Sequence, residues 1–204
     1  MRDNLSPFLR AQAMQTSTIS QQQMEQRVAR YRTLEPLAIQ QDNAVPQGAR
    51  DVVYARKLLS VIGLEGSAKT PINSAAPIIG AGGMTMTIAV CPPGQGPGLH
   101  SHRATYETFT VLAGTFEITW NDDGGNRLVL ERFDTISIPP GVCRAFRNIG
   151  AVEGTLQVII TGGVHDMNDI AFSVQAAEQI AAASPAALAR FKEAGFRFDA
   201  GQSQ

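Results

Sequence analysis

Gly94-Gln-Gly-Pro-Gly-Leu-His100-Ser-His102-Arg-Ala-Thr-Tyr-Glu107-Thr-Phe-Thr-Val-Leu-Ala-Gly114 gathers two imidazoles and one carboxylate between glycine-marked turns. In an extended segment alternate side chains share a face, so His100 and His102 point to one side and can converge on one centre. Glu107 lies at an odd offset from His102. It reaches the same face only if the chain bends between Arg103 and Tyr106, which predicts a turn or bulge there. Two histidines and a carboxylate on one face form a ligand set that leaves open positions on Fe(II), and Mn, Co, Ni or Zn also suit it. Open positions admit substrate, water or dioxygen.

A second stretch, Phe133-Asp-Thr-Ile-Ser-Ile-Pro139-Pro140-Gly141-Val-Cys143-Arg144-Ala-Phe-Arg-Asn148, follows at a short interval. Together the two resemble the paired motifs of the cupin superfamily, in its single-domain, type-2-like form. The first motif, Gly-x5-His-x-His-x4-Glu-x6-Gly, is filled at every specified position. The second, Gly-x5-Pro-x-Gly-x2-His-x3-Asn, is matched at Pro139, Gly141 and Asn148. Phe133 stands at its glycine, and Arg144 at the histidine that usually supplies the last metal ligand. The resemblance implies a mainly β protein, a double-stranded β-helix or jelly-roll barrel. It also implies a divalent transition metal on His100, His102 and Glu107, iron by preference with Mn, Ni, Co or Zn as alternatives. The activity implied is that of a non-haem oxygenase, an oxidoreductase of the dioxygenase type acting on a small organic substrate, anionic or aromatic. The assembly implied is a homodimer.

Arg144 opens two alternatives, because a guanidinium cannot deprotonate to coordinate a metal. In one, Arg144 swings to the pocket mouth and pairs bidentately with a substrate carboxylate or enolate, acting with Glu107 as the catalytic pair beside a three-ligand metal. In the other, Arg144 pairs with Glu107 and takes the metal's place, leaving a metal-free binding protein or an isomerase-like enzyme. Phe109, Phe146 and Met86 are candidates to line an apolar pocket, although packing inside a small barrel asks for the same residues. Tyr106 and Arg103 flank the ligand stretch and are placed to gate the mouth. His165, in Gly162-Gly-Val-His-Asp, reads as a solvated loop histidine.

A chain of 204 residues with 44% hydrophobic content is long enough to bury one core, and one domain is expected. A net charge of −1 without a dense basic block gives no footprint for nucleic acid or an anionic membrane, so small-molecule chemistry is the class to expect. No apolar run is long enough for a bilayer, and the N-terminus lacks a signal-peptide core, which together predict a cytoplasmic protein. Cys91 and Cys143 are too few for a disulfide framework and read as reduced, packed thiols.

The chain divides into an N-terminal arm and helix over 1–50, a barrel over 51–172, and a C-terminal helical segment over 173–204 that packs on the barrel or a second subunit. Up to Thr18 the sequence reads as an arm. From Ile19, Met24, Val28 and Tyr31 recur at helical spacing. The apolar run from Val52 to Ile62 predicts the first strand, and the glycine- and proline-punctuated segment 63–83 a long loop at the barrel mouth. Met84, Met86, Ile88 and Val90 alternate as the buried face of a strand. Glu107, Phe109 and Val111 share a face, as do Phe116, Ile118 and Trp120. Asn121 to Asn126 makes a hairpin turn, and short strands follow at 127–130, 135–138, 142–147 and 155–161. An alanine-rich helix over 174–183 precedes a second, capped by Ser184-Pro185 and stopped at Gly195. Residues from Asp199 onward read as frayed.

Overall fold

From Met84 to Thr161 strand follows strand, because apolar residues return at every second position and one buried face requires that period. The computed structural model describes residues 17–64, 70–80, 82–162 and 167–202. In chain order its elements are α1 (Gln21–Glu25), α2 (Gln47–Val53), β1 (Lys57–Gly63), α3 (Pro71–Ala75), β2 (Ile78–Ile79), β3 (Met84–Cys91), β4 (His100–His102), β5 (Tyr106–Ala113) and β6 (Phe116–Trp120). Then come β7 (Asn126–Leu130), β8 (Thr135–Ile138), β9 (Arg144–Asn148), β10 (Gly154–Thr161), β11 (Ile170–Ser173), α4 (Val174–Ala183), α5 (Pro185–Glu193) and β12 (Arg197–Ala200).

Two sheets face each other as the expected jelly roll. One runs in the order β2-β1-β3-β10-β5-β8, the other β12-β11-β4-β9-β6-β7. Phe109, Val111, Phe116, Ile118, Phe146 and Leu156 fill the space between them. A second apolar cluster joins Val45, Ala49 and Val53 to Phe172, Ile180, Phe191 and Phe196, so α2, α4 and α5 pack together beside β11. Ser173 and Ser184 each cap the helix that follows, accepting from the backbone N–H of Ala176 and Ala187. Gly195 closes α5 at a φ of 91°.

Several elements differ from the sequence expectation. Val52 and Val53 end helix α2 rather than starting a strand: Pro46 supplies the extended residue at its start, and β1 begins only at Lys57. The expected helix from Ile19 shortens to α1, whose residues bury nothing, and Met24 and Tyr31, now on separate segments, both stay exposed. Most of the N-terminal arm falls outside the described residues. Within 63–83 lie a helical turn, α3, and β2, which pairs in parallel with β1. Residues 197–200, whose end was expected to fray, form β12 alongside β11.

Strand β3 shows a reversal of faces. Thr85, Thr87 and Ala89 are buried, while Met84, Met86 and Ile88 are only half-buried. Alternation alone identifies two faces but not which one looks inward. Here the small threonines sit against the crowded barrel interior, and the flexible methionines cover the outside, where Met86 Sδ accepts from Gln157 Nε2 at 3.2 Å.

Candidate metal centre

His100 and His102 stand on β4, a strand only three residues long, and point inward around the half-buried Ser101. The bend predicted after His102 is present: residues 103–105 leave the sheet, and the chain returns as β5 in the opposite sheet with Glu107 facing in. Asp169 fixes that bend, its backbone carbonyl accepting from Arg103 N–H at 2.7 Å and its carboxylate from Ala104 N–H at 2.7 Å. The two strands thus offer their ligands across the barrel.

Each imidazole is oriented through Nδ1. His100 Nδ1 lies 2.9 Å from the carbonyl of Gly98, and His102 Nδ1 lies 3.2 Å from Asp169 Oδ2 and 2.9 Å from Thr105 Oγ1. A carbonyl accepts only, so His100 carries a proton on Nδ1, and Nε2 is the nitrogen turned toward Glu107. Thr105 Oγ1 donates to Asp169 Oδ2 at 2.6 Å, which leaves that carboxylate and hydroxyl as acceptors for His102 Nδ1–H. Burial holds the pKa of His102 below its ordinary value, so the ring is neutral at pH 7.

Both Nε2 atoms converge on Glu107 Oε2, His100 at 3.3 Å and His102 at 3.7 Å. The candidate ligand atoms of the three residues lie within 4.8 Å of one another. At metal–ligand bonds of about 2.1 Å, neighbouring ligand atoms stand about 3.0 Å apart at a right angle and about 3.4 Å apart at a tetrahedral one. The donor set and its spacing therefore fit a divalent cation held by two imidazoles and one carboxylate.

Arg144 lies opposite His100 in the β4–β9 register and is fully buried. Its Nε donates to Glu107 Oε2 at 2.8 Å and its Nη1 to the carbonyl of Val142 at 3.1 Å, while Nη2 finds no partner among the described residues. Burial by itself would raise the Glu107 carboxyl, but Arg144 first, then His102 and His100, outweigh it and hold the group well below the usual carboxylate range. A carboxylate oxygen has two lone-pair directions. Oε2 can accept from Arg144 on one side and face the imidazoles on the other.

A cavity of about 110 Å³ opens beside the triad. His100, His102, Glu107 and Asp169 form its polar end, and its walls include Leu58, Ile72, Val158, Ile160 and Phe172. Of the pocket residues expected from sequence, Phe146 lines this cavity. Phe109 is fully buried in the barrel core, where its ring meets Phe146 edge-on at 5.1 Å. Met86 faces the outside of the sheet, and Tyr106 is half-exposed at the start of β5. Arg144 is sealed behind Glu107 and does not line the cavity. His165 lies outside the described residues. Cys91 and Cys143 are buried free thiols, each pushed up to about 12 chiefly by burial, and neither borders the cavity.

Sequence reading missed Asp169, Thr105 and Tyr54. Asp169 stands 67 residues from His102, so no local spacing announces it. Tyr54 follows an apolar pair that reads as strand, whereas it ends helix α2 at the cavity wall.

Residues 87–160 match the family profile of the cupin domain. Comparison of the sequence with curated proteins finds no match. Among solved structures, a protein with a double-stranded β-helix domain from Klebsiella pneumoniae subsp. pneumoniae is 21% identical, with a TM-score of 0.39 over 44% of this chain and 73% of its own. A predicted oxalate decarboxylase from Thermotoga maritima is 22% identical, with a TM-score of 0.35 over 38% of this chain and 64% of its own. A DMSP lyase structure is 19% identical, with a TM-score of 0.45 over 58% of this chain and 53% of its own. No helix among the described residues is long and apolar enough to cross a membrane.

Proposed function

The chain is a member of the cupin superfamily through its domain at residues 87–160, and from that premise we propose that it is a metal-dependent enzyme of the non-haem oxygenase kind, acting on a small organic substrate. The observation that carries this reading is the engagement of both Nδ1 atoms, which leaves the two Nε2 positions directed at Glu107 Oε2. His100, His102 and Glu107 would hold a divalent cation, iron by preference, and such a cation supplies Lewis acidity and open positions for exchangeable ligands. Asp169 keeps His102 in the ligating tautomer. Arg144 positions Glu107 and keeps it ionised; it acts through that carboxylate, with no surface on the cavity to meet a substrate. The apolar walls exclude water from the open side of the triad.

A second reading is supported by the 2.8 Å contact between Arg144 and Glu107. Glu107 and Asp169 bring two negative charges to the cluster and Arg144 one positive charge, so one more positive charge is needed for balance. A proton on an imidazole supplies that one charge, and the protein is then a metal-free binding or isomerase-like cupin. Metal content by elemental mass spectrometry, for the wild type and His102→Ala, separates the two. Near-stoichiometric transition metal that disappears in the variant supports the enzyme, and oxygen uptake with small aromatic and keto compounds then tests the oxygenase. A wild type that stays empty after reconstitution rejects the metal reading. The same proposal puts the enzyme in the cytoplasm as a homodimer, for which the separately exposed apolar side chains Ile19, Met24, Val28 and Tyr31 are available; light scattering tests the assembly.

A further inference from the structure

We infer that the cavity selects a neutral, largely apolar and flat molecule, and that the Tyr54 hydroxyl holds its single hydrogen-bond acceptor. This rests on reading the cavity as the substrate site, and it adds the class of molecule that fits. Among the described residues lining the cavity there is no lysine or arginine. The charged side chains there are Glu107 and Asp169, and both are already engaged, by Arg144 and by Thr105, Ala104 and His102. Apart from a metal on the triad, the cavity walls offer an incoming carboxylate no cation to offset the hydration it would lose beside two like charges. An ammonium would be desolvated against Leu58, Val158 and Ile160 and would find the nearby carboxylates occupied.

The wall shape favours a planar ligand. A row of rings runs from Tyr54 to the triad. Tyr54 meets Phe196 edge-on at 6.1 Å, Phe196 lies 6.1 Å from Phe172 at an interplanar angle of 36°, and Phe172 lies 5.4 Å from His100 at 32°. Tyr54, Phe196, Phe172 and His100 all border the cavity. No hydrogen bond engages the Tyr54 hydroxyl among the described residues. Burial raises its pKa above the ordinary phenol value, so at neutral pH it is a donor with a proton to give. Tyr54 is half-buried, so a ligand acceptor that replaces water at its hydroxyl gains one net hydrogen bond over an isostere that cannot accept.

The test uses the full chain after chelation, so the outcome does not depend on the metal. Benzaldehyde, toluene, benzoate and benzylamine are titrated at pH 7 and followed by protein amide shifts in NMR. Benzaldehyde is expected to bind about tenfold more tightly than benzoate or benzylamine. It should also bind about fivefold more tightly than toluene, the ratio that one net hydrogen bond supplies. In Tyr54→Phe, benzaldehyde should fall to the level of toluene, with toluene unchanged. Benzoate binding as tightly as benzaldehyde, absence of binding by every probe, or equal losses for benzaldehyde and toluene in the variant would each overturn the inference. The wild-type ranking stands without the variant, and a protein found empty of metal would leave that ranking untouched.

Discussion

Asp169→Asn keeps the size and shape of the side chain, yet it should impair the centre in two measurable ways. The carboxylate accepts from Ala104 N–H and Thr105 Oγ–H and faces His102 Nδ1. An amide has one oxygen and one NH2. If its oxygen serves Ala104, the NH2 faces His102, and the ring must shift its proton to Nε2, where it blocks the ligating lone pair; if the amide flips, two N–H groups meet at Ala104. Loss of such an orienting partner typically costs 10- to 100-fold in metal affinity, about 1.4 to 2.8 kcal/mol. The effect on stability has a definite sign. Burial alone would raise the Asp169 carboxyl, but hydrogen bonds from His102, Thr105 and Ala104 bring it down to about 2 from an ordinary 3.8. A depressed carboxyl contributes stability that is fully present above its unfolded value and lost as pH falls through about 2. The metal-free variant should therefore be weaker by on the order of 2 kcal/mol at pH 7, and the gap should narrow as the pH approaches 2. Competition of zinc against a chromophoric chelator reads the first effect, and urea unfolding across pH reads the second. Wild-type zinc affinity in the variant, together with unchanged unfolding at pH 7, would refute the argument.

Arg144→Met should cost about 3 to 5 kcal/mol in urea unfolding of the metal-free protein, because it strands Glu107 in the interior. Adding Glu107→Gln to it should recover part of that loss, and simple additivity of the two single changes would show that the pair is not coupled. Phe133 sits at a φ of 75° with its ring exposed under the guanidinium of Arg132. Phe133→Gly should be more stable than Phe133→Ala by about 1 kcal/mol, since only glycine relieves the left-handed backbone; equal melting temperatures would count against strain there. Gly96→Ala should destabilise by about 3 kcal/mol or more, because its Cβ would come 1.8 Å from the carbonyl oxygen of Phe146, and backbone must move to admit it. A variant that melts like the wild type would mean that strand β9 yields more easily than its pairing suggests.

Local sequence was informative wherever one physical rule acted alone. The spacing of His100, His102 and Glu107 required a bend, and the bend is there. Gly94 and Gly114 both take positive φ, and even Phe133, standing at a motif glycine, adopts the left-handed conformation that glycine would. Asn148 pins its corner by donating to the carbonyls of Cys91 and Val152 and accepting from Gly150 N–H. The reading failed where two rules compete. Val52 and Val53 have strand propensity, but the packing of Ala49 and Val53 against Phe172 and Ile180 favours helix. Along β3, periodicity offered two faces, and hydrophobicity picked the wrong one. Asp169 and Tyr54 were invisible because their roles depend on contacts between distant parts of the chain, and Thr105, though three residues from His102, takes its orientation from Asp169, 64 residues on.

That distance also dictates when the site can exist during synthesis. His102 and Asp169 are 67 residues apart, and β4 is flanked by β9 on one side and by β11 on the other. Strand β11 is in turn bordered by β12, which ends at Ala200. A chain growing from its N-terminus therefore displays both histidines long before it can orient the second of them. Pairings of such long sequence separation form late. The histidine pair is thus set in place by strands that arrive after it, and its geometry is a property of the closed barrel rather than of the short segment that carries it.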